Sequence, residues 1–293
     1  MIAVIGSANM DVIAEADQFP LQGETIRGKS FQTAPGGKGA NQATACARLG
    51  QSVRLIGTVG SDSFGEMIID NLQQQKVDTS AVLQVEGPSG VAVILLTEGD
   101  NRIISIPGAN HALTRARIDS LQSVIQASLL VMMQLEIPAE TVWRVLELCR
   151  VAHVPVIMDP APSSSFQLDF MPYVQYLTPN ETECAQLFGT SIEEAVAAYP
   201  NQLLVTLGSE GVCYHDGKQI VRVPGISVPV VDTTGAGDTF NGALASQLVQ
   251  KQSLKSAIHF ANAAASLAVE KFGAQGGMPN EQEVLDRLAD QNG

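Results

Sequence analysis

Short apolar runs alternate with amphipathic stretches along nearly the whole chain, and few folds accommodate that order. Strand-like 2–5 precedes helix-like 40–49, 53–59 precedes 64–75, and 128–135 precedes 139–152. The pattern continues through 154–158, 203–207 and a strand ending near Val231, which leads into helix-like 239–249. Parallel strands need crossovers, and helices supply them. The expected fold class is therefore α/β: a doubly wound, mostly parallel sheet with helices on both faces. Residues 253–271 read as a further helix, because Leu254, Ala257, Ile258, Ala261, Ala265, Ala268 and Val269 recur at intervals of three and four. With 293 residues, 45% hydrophobic, and no repeat or linker, a single domain over 1–293 is expected.

One segment breaks the alternation. Residues 91–106, V-A-V-I-L-L-T-E-G-D-N-R-I-I-S-I, read as two strands around a turn at 98–101. Both faces of 91–96 are apolar, where a solvated flap would carry one polar face. The hairpin is expected to stand off the main sheet, one face over a ligand and the other against something else, such as a second copy. The competing reading is a central buried strand pair.

A net charge of -13 with no cluster of Lys and Arg disfavours nucleic acid or an anionic membrane as the main partner, and leaves room for a small anion. Apolar runs such as L-L-V-M-M are too short to span a bilayer, and M-I-A-V-I-G carries no charged leader, so a cytoplasmic location is expected. Cys46, Cys149, Cys184 and Cys213 lie far apart, which suits reduced thiols rather than disulfides or a zinc site.

In open parallel sheets, ligands bind beyond the carboxyl ends of the strands. Asn9 and Asp11 follow the first run, Gln134 and Glu136 the run L-L-V-M-M, Asp159 follows V-P-V-I-M, and Asn180 and Glu183 follow Y-L-T-P. Gly208 to Gly211 follow L-L-V-T-L, and D-T-T-G-A-G-D, 232–238, follows V-P-V-V. Each alone is as readily a helix cap or turn former. Together they put many amides and carboxylates on one sheet edge, where desolvation without a partner costs about 1–3 kcal/mol each.

Two glycine-rich turns enter helices. P-G-G-K-G-A-N, 35–41, is not a phosphate loop of the Walker type, since Gly39 rather than Ser or Thr follows Lys38. G-S-A-N-M-D, 6–11, fails the dinucleotide fingerprint. In G-A-G-D, 235–238, the glycines let helix-start amides turn toward an anion, which suits a phosphoryl group in transfer. Asp238 then either takes the proton of an attacking hydroxyl or merely caps the helix. The helix dipole is expected to keep it ionised.

With both glycine turns, M-Q-L-E, P-N-E-T-E and D-T-T-G-A-G-D-T-F-N-G-A in hand, the chain closely resembles the ribokinase group of the PfkB-type carbohydrate kinases, over nearly its whole length. The resemblance implies a ribokinase-like α/β domain with a β lid from roughly 10–34 and 89–107, and ATP-dependent phosphorylation of D-ribose at the 5-hydroxyl. It implies a homodimer joined through the lid. Asn9, Met10, Asp11, Gly37, Lys38, Gly39, Ala40, Asn41 and Glu136 match its sugar-binding segments. Asp238 matches the base, with Gly235, Ala236 and Gly237 as the anion hole. Asn180 and Glu183 resemble the pair that organises Mg2+ and the phosphates through water. Thr206, Leu207, Gly208, Ser209, Glu210 and Gly211, with Gly237 and Asn262, match nucleotide contacts. Asp232 and Thr234, with backbone oxygens near Ala268, Lys271 and Gly273, resemble a K+ site; Gly277 stands where the group commonly carries Ser, so a side-chain ligand is absent. Lys38 reads equally as a charge near the phosphates or a solvated lysine.

Three alternatives stay open: a kinase for deoxyribose, fructose or adenosine; a non-catalytic sugar sensor; and a dehydrogenase on half of this architecture. The missing fingerprint argues against the last, and an intact G-A-G-D turn against the sensor.

Overall fold

Six parallel strands form the main sheet of the computed structural model, which describes residues 1–97 and 100–291. Their spatial order is β10 (Tyr176–Leu177), β9 (Val156–Met158), β8 (Leu130–Met133), β1 (Ile2–Ile5), β4 (Val53–Gly60) and β5 (Asp78–Val85). The central strands β1, β8 and β9 are buried on both faces, which is why these runs read as continuously apolar, whereas the edge strand β5 carries exposed polar residues. On β1, Ile2 and Val4 enter one core while Ala3 and Ile5 enter the other; on β8, Leu130 and Met132 oppose Val131 and Met133. The first core packs α1 (Lys38–Arg48), α2 (Ser63–Gln74), α8 (Ala236–Val249), α9 (Leu254–Ala268) and α10 (Glu281–Asp290). The second packs α3 (Arg115–Ser120), α4 (Gln122–Gln126), α5 (Ala139–Ala152), α6 (Glu181–Phe188) and α7 (Ile192–Ala198). Strand order reverses at β1, with β4 and β5 on one side and β8 to β10 on the other. That switch opens a crevice beyond the carboxyl ends of β1 and β8.

A second, four-stranded sheet has the order β3 (Ser30–Gly36), β2 (Asn9–Glu15), β6 (Gly90–Thr97) and β7 (Asp100–Ile106). β2 runs parallel to β6 and antiparallel to β3, and β7 runs antiparallel to β6. The 91–106 hairpin thus stands off the main sheet, and the buried-pair reading fails. Of the turn expected at 98–101, residues 100 and 101 belong to β7, and 98 and 99 lie outside the described residues. By register, Asp11, Ile13, Ile94 and Ile103 share one face, and Val12, Phe31, Val93, Ile104 and Ile106 the other. On that second face Phe31 is 69% exposed and Ile104 59%.

Two expectations need correction. The run ending at Val231 forms no strand: Pro229 lacks an N–H for a ladder, and the Val231 and Asp232 N–H groups donate instead to the Val269 carbonyl at 2.8 and 3.2 Å. The 203–207 run shortens to β11 (Val205–Thr206), which joins β12 (Val212–His215) and β13 (Ile220–Val223) in a small antiparallel sheet. Leu203 and Thr206 still bridge in parallel to Leu177 and Asn180. Among the described residues no helix is long and apolar enough to cross a membrane.

Candidate active site

The crevice collects the polar residues that follow the strands. Ser7 Oγ, after β1, donates to Glu136 Oε2, after β8. Asn9 is buried, and its Oδ1 accepts from Asn110 Nδ2 at 2.7 Å while Asn110 Oδ1 accepts the Ala8 N–H at 2.9 Å. Asn110 therefore fixes which way the Asn9 amide faces. Met10 points elsewhere: its side chain is fully buried in the core, so it has only backbone to offer a ligand. Ala40 is likewise buried, and its N–H donates to Ser7 O.

At the start of α8, Gly235 occupies the N-cap with φ 78, a left-handed conformation that glycine adopts without steric cost, and no side chain caps the helix. The Ala236 N–H donates to Thr233 O at 3.2 Å, so it is already engaged. The Gly237 and Asp238 amides belong to the first turn, where N–H groups have no intrahelical acceptor. Asp238 is buried, and its carboxylate turns to the neighbouring helix. Oδ2 accepts from Asn41 Nδ2 at 2.9 Å and Oδ1 from Gln42 Nε2 at 3.1 Å. The cap reading of Asp238 therefore fails. Gly242 permits this arrangement, because a Cβ there would come within 2.5 Å of Ala45 Cβ and hold α1 and α8 apart.

The charges are crowded. Burial raises the pKa of Asp238, against Lys38 and the Asn41 and Gln42 hydrogen bonds, and Glu136 raises it further. Burial thus outweighs the helix-start effect expected from sequence. Asp11 is pushed up to about 7 by burial, then by Glu136 and Asp238. Asp159 also reaches about 7, through burial and the charges of Asp238 and Glu183, opposed by Lys38 and the Ala161 N–H. Lys38 is half-buried. Burial would discharge it, but Asp159, Asp238, Glu136 and Glu183 together hold its pKa above the ordinary value, and the solvated reading gives way.

Two cavities flank the α8 start. One, of about 390 Å³, lies between the four-stranded sheet (Asp11, Ile13, Ile94, Ile103) and the loop carrying Phe272 and Gln275. Of the expected sugar ligands only Asp11 lies on its wall, but Gln275 Nε2 donates to Asn41 Oδ1 at 3.0 Å and so ties that wall to Asp238 through Asn41. The other, of about 330 Å³, is walled by Asn180, Thr206, Gly208, Ser209, Gly211, Gly237 and Asn262, with Val228, Phe240 and Ala265 giving it an apolar side. Leu207 is buried in the core, and neither it nor Glu210 is on this wall. Asn262 Nδ2 donates to the carbonyls of Val223 and Pro224 at 3.2 and 3.0 Å, which accounts for an amide in an alanine-rich helix. Asn180 and Glu183 form a capping box at the start of α6.

Of the expected cation ligands, Asp232, Thr234 and Gly273 line the first cavity, and Ala268, Lys271 and Gly277 do not. Asp232 Oδ1 accepts the Thr234 N–H at 2.9 Å and its hydroxyl at 2.7 Å, and Oδ2 accepts the Gly273 N–H at 2.9 Å. Burial would raise the Asp232 pKa, yet these donors hold it below the ordinary carboxylate value. A Cβ on Gly277 would lie 1.9 Å from the Ala268 carbonyl oxygen, so this backbone excludes the serine of related chains. Lys271 is exposed. The Asp232 and Thr234 side chains offer hard oxygen donors, the kind that suits a hard cation. Sequence reasoning missed Ser7, Gln42, Asn110 and Gln275. Ser7 follows β1, where the strand-end rule finds it; nothing in the sequence marks the other three.

Comparison with known proteins agrees. The chain is 46% identical over 290 residues to the ribokinase of Bacillus subtilis, covering 98% of this chain and 99% of that one. It is 45% identical over 289 residues to the ribokinase of Lactococcus lactis, covering 98% and 96%. The structure of Arabidopsis thaliana ribokinase complexed with ribose and ATP superposes with a TM-score of 0.89 at 36% identity, covering 98% of each chain. Residues 1–281 match the family described as pfkB family carbohydrate kinase, and this chain belongs to that family of ATP-dependent sugar kinases.

Proposed function

We propose that this chain transfers the terminal phosphoryl group of ATP to the 5-hydroxyl of D-ribose. The observation that carries the reading is Asp238: a buried carboxylate of raised pKa, held by Asn41 and Gln42 at a helix start whose neighbouring Gly237 lines a cavity. Asn9, Asp11, Asn41 and Glu136, with the 37–41 turn, hold sugar hydroxyls and orient the nucleophile, which supplies much of the rate by proximity. Asp238 takes the hydroxyl proton as the oxygen bonds to phosphorus, and its raised pKa makes it the stronger base. The Gly237 and Asp238 amides, with Gly235 shaping the turn, draw charge from the transferring group, and Lys38 adds a fixed positive charge. ATP occupies the cavity of Thr206, Gly208, Ser209 and Asn262. Asn180 and Glu183 would hold Mg2+ through water, where the ion would offset phosphate charge, and Asp232, Thr234 and the carbonyls near Ala268 and Gly273 would hold K+.

Residues 10–34 and 89–107 act as a lid within one domain spanning 1–293, excluding water that competes for the phosphoryl group. The apolar outer face of that sheet, with Phe31, Ile104 and Ile106 exposed, supports a homodimer formed lid to lid. The cytoplasm, with its ATP and K+, is the matching location. The test is ADP release with D-ribose, deoxyribose, fructose and adenosine, each with and without K+. Ribose is expected to give the highest kcat/KM and K+ to raise it; comparable turnover of adenosine overturns the assignment.

A further inference from the structure

Gln42 belongs to no expected contact set, yet it sits at the centre of the charged cluster. It is 1% exposed, and every polar atom of its side chain is committed inside the protein. Nε2 donates to Asp159 Oδ2 at 2.9 Å and to Asp238 Oδ1 at 3.1 Å, and Oε1 accepts from Gln134 Nε2 at 2.5 Å. Nothing on it remains to bind a substrate. Asp159 lines neither cavity, and its other oxygen accepts the Ala161 N–H at 3.2 Å. Lys38, Glu136, Asp11 and Asp159 face Asp238; Lys38, Asp238 and Glu183 face Asp159. Two buried carboxylates this close repel, and a neutral amide with two N–H groups can serve both without adding a charge.

We propose that Gln42 is a positioning residue for proton transfer, pinning the Asp238 carboxylate and linking it to Asp159, a second buried acid. The inference rests on the reading of Asp238 as the base. Both oxygens of Asp238 are held from α1, one by Asn41 and one by Gln42, so rotation about Cβ–Cγ breaks a hydrogen bond in either sense. Asp159 acts through the shared amide: it draws on the same Gln42 nitrogen, whose N–H makes Asp238 easier to ionise.

Two substitutions separate these effects. Gln42→Leu keeps the volume and removes the N–H groups. It should lower kcat roughly 10- to 100-fold, the scale of misplacing a reacting group by about an ångström. KM for ribose should move less than about threefold, and the acid limb of kcat should shift to higher pH. Asp159→Asn keeps the shape and removes a group that burial, pushing it up to about 7, already keeps largely neutral at acid pH, so the acid limb should move little. An upward shift in Gln42→Leu with little movement in Asp159→Asn supports the proposal. An acid limb unmoved in Gln42→Leu, even with a lowered melting temperature, overturns it and leaves Gln42 a packing residue. If Gln42→Leu does not fold, Gln42→Asn, one methylene shorter, should show the same upward shift. Wild-type turnover of ribose is the control: its absence refutes the function, whereas an active wild type with unmoved profiles refutes only the role of Gln42.

Discussion

The starts of α6 and α8 present the same spacing, an acid three residues beyond the N-cap, and use it in opposite ways. At α6 the pieces close on themselves: Asn180 Oδ1 accepts the Glu183 N–H at 2.8 Å, and Glu183 Oε2 accepts the Asn180 N–H at 2.9 Å. The cap residue is extended, with φ −79 and ψ 177, which aims its N–H back along the helix. At α8 the cap is Gly235 in the left-handed region, with no side chain to return, and Asp238 reaches α1 instead. A helix start that satisfies its own amides is a structural device. One that leaves them open, with its acid held from another element, is equipped for a ligand.

The strongest way to break this contrast is Asp238→Asn. It should lower kcat by roughly 100-fold or more, the low end for a general base, while ribose binding measured by calorimetry stays within a few-fold. Near-normal turnover would make Asp238 a second Glu183. Next, Gly242→Val should wedge α1 from α8, cost about 1–3 kcal/mol of stability from overpacking, and lower kcat by moving Asn41 and Gln42 off the carboxylate. Denaturant unfolding and steady-state assays on the same preparation check both parts; a stability loss with unchanged kcat would mean the base does not depend on this helix contact. The smallest effect belongs to Asn180→Ala, about 1 kcal/mol of stability for the lost cap, with KM for ATP raised and kcat nearly unchanged. A fall in kcat matching that of Asp238→Asn would erase the distinction between the two helix starts.

Asp232 and Asp238 sharpen the same point within one turn of sequence. Three donors from Thr234 and Gly273 hold Asp232 low, whereas burial and the charge of Glu136 lift Asp238. Both are aspartates followed by Thr, and the sequence offers no means to tell which is the stronger base. It did suggest that the helix dipole would govern Asp238, a local effect that desolvation overrides.

What the sequence determined alone follows from short-range physics. The apolar periods separate strands from helices, so α5 falls at 139–152 as expected and the hairpin at 91–106 stands apart from the sheet. The run to Val231 misled because hydrophobicity alone resembles a strand; Pro229 breaks the ladder and the valines stay exposed. Strand-end chemistry also located Asn9, Asp11 and Glu136, whereas the 232–238 turn follows no strand. Only the tertiary structure decided what holds them: Asn41 and Gln42 lie 197 and 196 residues from Asp238, and Gln275 lies 234 from Asn41. No local period encodes such pairs. They exist because two helices pack closely enough, through a single missing Cβ at Gly242, for the amides of one to reach the acid of the other.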